Sequence, residues 1–264
     1  MFLIFNFNTK LIVRVSGYPH FNFLRKLLWK IVLKKIKFIT SPTFATLNLL
    51  KINFKFNNIK VLRDPVLYIK RIYLLEKRHH QYFKFANNKK YILAIGRLTK
   101  QKNFIFLIKA FKKISEKYKD IDLIIIGDGE DKSEILRLIS LGNLENRVII
   151  IPNTDNVFYY IRRSLCLVSV SLWEDPGFVL IESLFANKIV ISSDCPNGPQ
   201  EVLDSGHAGY LFKNNSEKDF LEIFDKFNID NKNVIIKKII NGKKITKNYS
   251  LFSHFRSLNK ILLN

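Results

Sequence analysis

The stretch CLVSVSLWEDPGFVLIESLFANKIVISSD (166–194) decides the fold. CLVSVS (166–171) is a short apolar run, GFVLIESLFAN (177–187) has helical period, and KIVISSD (188–194) is a second apolar run. Two fully apolar strands joined through a helix imply parallel pairing, because a hairpin turn cannot make that connection. The same alternation extends upstream. YILAIG (91–96) predicts a strand, and NFIFLIKAFKKISEKY (103–118) a helix with Asn103 as its N-cap. IDLIIIG (121–127) predicts a strand, EDKSEILRLISLG (130–142) a helix closing on Gly142, RVIII (147–151) a strand and VFYYIRRS (157–164) a short helix. Downstream, GPQEVLDSG (198–206) reads as a short helix and AGYLF (208–212) as a last extended piece. The fold class that follows is α/β: a Rossmann-like parallel sheet with helices on both faces.

The 264 residues are 47% apolar, enough to bury a sizeable core, which excludes a disordered chain. Cys166 and Cys195 stand in no CxxC pair and beside no histidine at ligand spacing, so neither a disulfide framework nor a zinc site is expected. MFLIFNFNTK (1–10) lacks the leading positive charge and small-residue cleavage site of a signal peptide. No apolar run reaches about 18 residues, the length a membrane-spanning helix needs. A reducing, cytoplasmic setting is the expectation. Net charge is +22 and uneven: residues 1–90 hold 19 Lys or Arg against two acids, Asp64 and Glu76, whereas the remainder holds 25 against 20. Two readings stand. One is a local anionic partner: a membrane surface, nucleic acid or a phosphorylated substrate. The other is the Lys-, Ile-, Asn-, Phe- and Tyr-rich bias of an A+T-rich coding sequence.

Ligands of such sheets bind beyond the carboxyl ends of the strands, so the residues just after each strand are the candidates. Gly96-Arg97-Leu98 with Lys102 follows the first strand of this series and offers fixed positive charge to a diphosphate; two ordinary surface cations are the bland alternative. Gly127-Asp128-Gly129-Glu130 follows the next, but Lys132 stands where GxGxxG needs its third glycine, so a tight strand-to-helix turn is the simpler reading. In Glu174-Asp175-Pro176-Gly177-Phe178-Val179-Leu180-Ile181-Glu182, two glutamates are separated by seven residues. The amides of Gly177, Phe178 and Val179 fall at a helix start, where free N–H groups attract an anion. A carboxylate beside such a site suits sugar hydroxyls. Glu182 reads either as that carboxylate or as a solvated helix residue, with Leu180, Ile181, Leu184 and Phe185 around it. Asp194 to Glu201 is a turn-rich loop.

Together these segments resemble the retaining glycosyltransferase family 4, whose members have the two-domain GT-B fold. YILAIGRLTKQKNF resembles the family's strand-GRL-QK segment, IIIGDGED its GDG turn, and SLWEDPGFVLIESLFANKIVISSDCPNGPQEVL its signature region. The resemblance covers roughly 9–264 and is strongest over 91–212. It implies that Arg97 and Lys102 hold the donor diphosphate and stabilise charge on the leaving nucleotide. It implies that Glu182 binds the ribose hydroxyls, that Glu174 holds the donor sugar, and that the amides around Gly177, Phe178 and Val179 contact phosphate. Glu174, Arg97 and Lys102 are then the catalytic set. Retention by front-face attack needs no protein nucleophile. No cofactor and no metal site are expected, and no Asp-x-Asp occurs; the donor is a UDP- or GDP-linked sugar.

Residues 1–66 resemble only the last portion of the family's acceptor-side domain. Residues 67–89 read as a linker and 90–264 as the nucleotide-sugar domain, with a closing helix over 249–264. VLRDPV (61–66) resembles the strand and hinge that lead to the linker. A separate polypeptide supplying an N-terminal half, or a fragmentary reading frame, is implied. His20 and Arg14 lie where the family places an N-domain residue near the donor sugar, and neither aligns securely. FLRKLLWKIVLKKIKF (23–38) has helical spacing of cations and apolar residues: an interfacial membrane helix, or a helix packed on its own sheet. The function expected is transfer of a sugar to a saccharide or polyprenyl-linked acceptor in surface polysaccharide synthesis. An inactive nucleotide-sugar-binding remnant is the alternative. Nucleic acid is not an expected partner, because only charge supports it.

Overall fold

The computed structural model describes residues 11–17, 19, 21–76 and 90–263. Its first sheet has three parallel strands in the order β1 (Leu11–Arg14), β2 (Ile36–Ser41) and β3 (Ile59–Val61). Helices α1 (Phe23–Leu33) and α2 (Phe44–Phe54) are the crossovers. Val15, Ile36, Ile39, Leu47, Leu50 and Ile59 form its small core. The helix expected over 23–38 therefore stops at Leu33. Ile36 and Phe38 are buried as strand residues, so sheet pairing overrides the helical spacing there. Within the range read as a linker, Ile69–Glu76 forms helix α3; residues 77–89 lie outside the described residues, as do 1–10 and His20.

The second sheet holds β4 (Lys90–Ile95), β5 (Ile121–Ile126), β6 (Val148–Ile151), β7 (Cys166–Ser169), β8 (Ile189–Asp194) and β9 (Tyr210–Lys213). All six are parallel, in the spatial order β6-β5-β4-β7-β8-β9. That is the doubly wound order, with the chain reversing its direction of travel between β4 and β7. The connecting helices are α4 (Phe104–Lys117), α5 (Lys132–Leu141), α6 (Val157–Arg163), α7 (Phe178–Phe185) and the short α8 (Pro199–Val202). Helices α9 (Glu217–Ile229), α10 (Lys232–Thr246) and α11 (Leu251–Leu262) complete the chain.

Side chains of a strand alternate between faces, and both faces are covered. Ile92, Ala94, Leu123 and Ile125 enter one core cluster, while Tyr91, Leu93, Ile124 and Ile126 enter the other. All of β5 is buried, which is why five of its six residues are apolar. Asp122, the acid within it, is held by Arg147 Nε at 2.7 Å. Helix α11 returns to the first sheet, where Ile261 and Leu258 pack with Phe38 and Leu62. Among the described residues, no helix is long and apolar enough to cross a membrane.

Candidate active site

Two loops meet at the point where strand order reverses: the one after β4 and the one after β7. Gly96 lies beneath the Lys102 stem, and a Cβ on Gly127 would stand 1.9 Å from Gly96 O. A Cβ on Gly129 would stand 2.4 Å from Leu98 O. Leu98 N–H donates to Asp128 O and Asp131 N–H to Leu98 O, both at 2.9 Å. The Gly127-Asp128-Gly129 turn thus braces the Gly96-Arg97-Leu98 loop. Asn103 precedes α4 with φ 56° and makes no side-chain cap; its amide donates to Asn215 Oδ1 at 3.3 Å. The cap predicted for Asn103 is replaced by this side-chain contact.

A cleft of about 470 Å³ opens between these loops. Arg97, Lys102, Glu174, Gly177, Phe178 and Val179 all line it, together with Gly17, Gln101, Trp173 and Asp175. Arg97 is exposed and makes no ion pair among the described residues. Lys102 Nζ pairs with Glu174 Oε1, and Ser171 Oγ donates to the same oxygen at 2.6 Å. Glu174 is 5% exposed, so the pair sits where solvent screens little. Gln101 fastens the two loops: its Nε2 donates to Trp173 O at 3.0 Å, and Leu172 N–H donates to Gln101 O at 2.8 Å. Gly177 caps α7 at φ 90°, a conformation that favours glycine. The α7 start then presents the N–H groups of Phe178 and Val179, which an α-helix leaves without intrahelical partners.

Glu182 does not line this cleft. It lies a turn further along α7, half-buried, and its carboxyl makes no hydrogen bond among the described residues. Burial pushes that carboxyl from 4.5 up to about 7. Asp175, in the sequence only a member of the motif between the two glutamates, lines the cleft, and its Oδ2 accepts from Gly17 N–H. Burial pushes Asp175 up to about 6, against the opposing pull of the Gly17 N–H, Asn197 and Arg14. Arg14 donates to Leu62 O at 3.0 Å and pairs with Asp64. Cys195, also near Glu174, is pushed by burial to about 12 and is a neutral thiol at pH 7. Gly17, Asp175 and Asn197 were missed because their partners are distant in sequence, and Ser171, three residues before its partner Glu174, because spacing alone does not show that contact; the polar residues of SDCPNGP (193–199) were the available signal.

A larger hollow of about 810 Å³ lies between α3 and the start of α11, lined mainly by apolar side chains such as Leu67, Leu74 and Leu251. None of the groups above reaches it. Among the described residues, no three His, Cys, Asp or Glu side chains gather as a metal site would require.

A doubly wound sheet with cations and a free helix start at its switch point belongs to the nucleotide-binding Rossmann-like class, here with a second, smaller parallel unit as in the GT-B fold. Residues 76–241 match the family model described as glycosyl transferases group 1, and the chain belongs to that family. An uncharacterized glycosyltransferase of Methanocaldococcus jannaschii is 34% identical over 206 residues, covering 74% of this chain and 51% of that protein. A Campylobacter jejuni relative is 32% identical over 133 residues, covering 50% of this chain and 36% of its own; its name describes an N-acetylgalactosaminyltransferase acting on a diphospho-undecaprenol-linked sugar. The crystal structure of a Rickettsia africae glycosyltransferase superposes with TM-score 0.79 at 21% identity, covering 97% of this chain and 70% of that one. Anabaena HepE in complex with UDP gives TM-score 0.81 at 17% identity, covering 96% and 72%. The chain spans about half the length of the curated relatives it matches, or less.

Proposed function

We propose that this chain carries the donor half of a retaining, family 4 type glycosyltransferase, moving a sugar from a UDP- or GDP-linked donor to a saccharide or polyprenyl-linked acceptor. One observation carries the reading: Arg97, Lys102, Glu174 and the amides of Phe178 and Val179 share one cleft at the switch point. The cations and the α7 start hold the diphosphate. As the bond from sugar to phosphate breaks, Arg97 and Lys102 stabilise charge gathering on the leaving nucleotide. Glu174 accepts from sugar hydroxyls once phosphate engages Lys102, and Glu182 accepts from the ribose hydroxyls. Support for a lipid-linked acceptor comes from what the Campylobacter relative's name says it acts on.

Calorimetric titration with UDP, GDP and their sugar conjugates tests this directly. One base should bind, its sugar conjugate more tightly, and Arg97→Ala or Glu182→Ala should each weaken it about tenfold or more. A folded wild type that binds neither nucleotide would overturn the reading.

Peripheral attachment to the inner face of a membrane is a second element of the proposal, and α1 supports it. Phe23, Leu24, Leu27, Leu28 and Ile31 are 86, 63, 49, 51 and 49% exposed. They form one outward stripe, opposite the Trp29, Val32 and Leu33 that pack on the small core, with Lys26 and Lys30 alongside.

A further inference from the structure

Gly17 reaches the donor cleft from the three-stranded sheet and is held there by Asp175 Oδ2. The other oxygen, Asp175 Oδ1, is buried without a hydrogen-bond partner, and so is Nδ2 of Asn197. Asn197 is 6% exposed. Its Oδ1 accepts from Thr43 Oγ1 at 2.5 Å and from Thr46 Oγ1 at 3.0 Å, both at the start of α2. Those two bonds fix the amide's orientation, so Nδ2 is the atom turned away from α2. The Asn197 amide lies near enough to the Asp175 carboxyl to favour its ionised form as a hydrogen-bond donor would, while Oδ1 and Nδ2 themselves fall short of hydrogen-bond geometry. The loops that carry them are pressed together: a Cβ on Gly198 would stand 2.4 Å from Pro176 O.

A buried donor and a buried acceptor left unpaired next to each other are each desolvated without compensation. A small approach of the loops after β7 and β8 would satisfy both. Asp175 is the covalent neighbour of Glu174, so anything that fixes Asp175 also fixes the carboxylate assigned to the donor sugar.

We propose that Asp175 and Asn197 are a positioning pair: they hold the loop after β1 and the start of α2 against the donor cleft, and a bound nucleotide sugar completes the hydrogen bond between them. This rests on the donor-site reading above. It adds that residues of the smaller unit are coupled to donor binding through two side chains that themselves transfer nothing.

The chemistry allows an exchange test. Asp175→Asn sets one amide donor against another, and Asn197→Asp sets two carboxylates face to face. The double exchange restores one donor and one acceptor, with the Gly17 N–H and both threonine hydroxyls still served. The probes are UDP, GDP and their sugar conjugates by calorimetry, with amide hydrogen exchange at Phe44 and Thr46 as the second readout. Each single substitution should weaken the nucleotide that binds wild type about tenfold, and the double exchange should return it to within about twofold. Nucleotide should slow exchange at Phe44 and Thr46 in wild type and in the double variant but not in the singles, a response that a merely structural loss would not produce. If wild type binds neither nucleotide, the donor reading falls and this inference with it. If wild type binds and the singles bind as well as it does, or the double exchange fails to rescue, the inference alone is overturned.

Discussion

Glu182 is ionisable, half-buried and, among the described residues, without a hydrogen-bond donor of its own. Its folded-state pKa, about 7, lies above the ordinary 4.5, so the native protein binds this proton more tightly than the unfolded chain does. Stability contributed by the protonated form is therefore present below pH 4.5 and is lost as pH rises toward 7. Glu182→Gln cannot ionise. In urea unfolding without nucleotide it should match wild type near pH 4.5 and exceed it at pH 8 by roughly 2–3 kcal/mol. Equal stability at both pH values would remove the argument that this carboxylate waits for hydroxyl donors. The position of Glu182 was legible from its spacing to Glu174, and its lack of a partner was not: spacing shows which helix face a side chain takes but not what stands opposite it. Asp175 is the converse. It sits in full view within the motif, yet its partner Gly17 is 158 residues away and no local pattern reports that contact.

At the scale of elements, the six strands of the large sheet were readable because parallel strands covered on both faces must be apolar throughout. Boundaries were less so. Residues 34–38 satisfy helical and strand patterns alike, and only pairing of β2 with β1 decides between them. The Gly127 turn fell short of a phosphate fingerprint on sequence, and it serves as a brace for the loop that carries Arg97. Helix α1 leads to a prediction of its own. Vesicles containing phosphatidylglycerol should bind the wild-type chain in a sedimentation assay, and Leu24→Ser with Leu27→Ser and Leu28→Ser should cut binding at least tenfold, since each buried apolar side chain contributes on the order of 1.5 kcal/mol or more. Because these three side chains are exposed, thermal stability should change little. Undiminished sedimentation would show that α1 is not the contact.

For the molecule as a whole, the ties between the two sheets include, besides Gly17–Asp175 and the two threonines on Asn197, a second polar cluster. Glu201 takes much of the load: its Oε1 accepts from Arg63 at 2.9 Å and its Oε2 from Phe44 N–H, at the start of α2, at 2.8 Å. The carbonyl of Arg63 meets His254 Nδ1 at 2.6 Å, and Leu67 N–H donates to Tyr249 O at 3.1 Å. Among the described residues, the small unit's main cluster holds six buried apolar side chains, too few to expect much independent stability. Glu201→Ala leaves Arg63 half-buried and unpaired, at a cost of about 1–2 kcal/mol after allowing for its partial exposure. Calorimetric unfolding should then change from one cooperative transition to two, with the small unit melting first. A single unshifted transition would mean that the apolar dock of α11 on Phe38 and Leu62 suffices. None of these ties could be read from sequence, where Arg63 and Glu201 are two charges among many.

The Lys102–Glu174 pair has one more consequence. A ligand that brings only phosphate can capture Lys102, but it strands a buried carboxylate and binds less tightly than one that serves both groups. A ligand that brings only hydroxyls can approach Glu174, but it finds that carboxylate engaged. A molecule bearing both, at the separation of a sugar from its diphosphate, satisfies both members in a single exchange. On the proposed donor reading, the cleft thus rewards a nucleotide joined to its sugar over either part alone, because only the joined molecule serves both members of the pair.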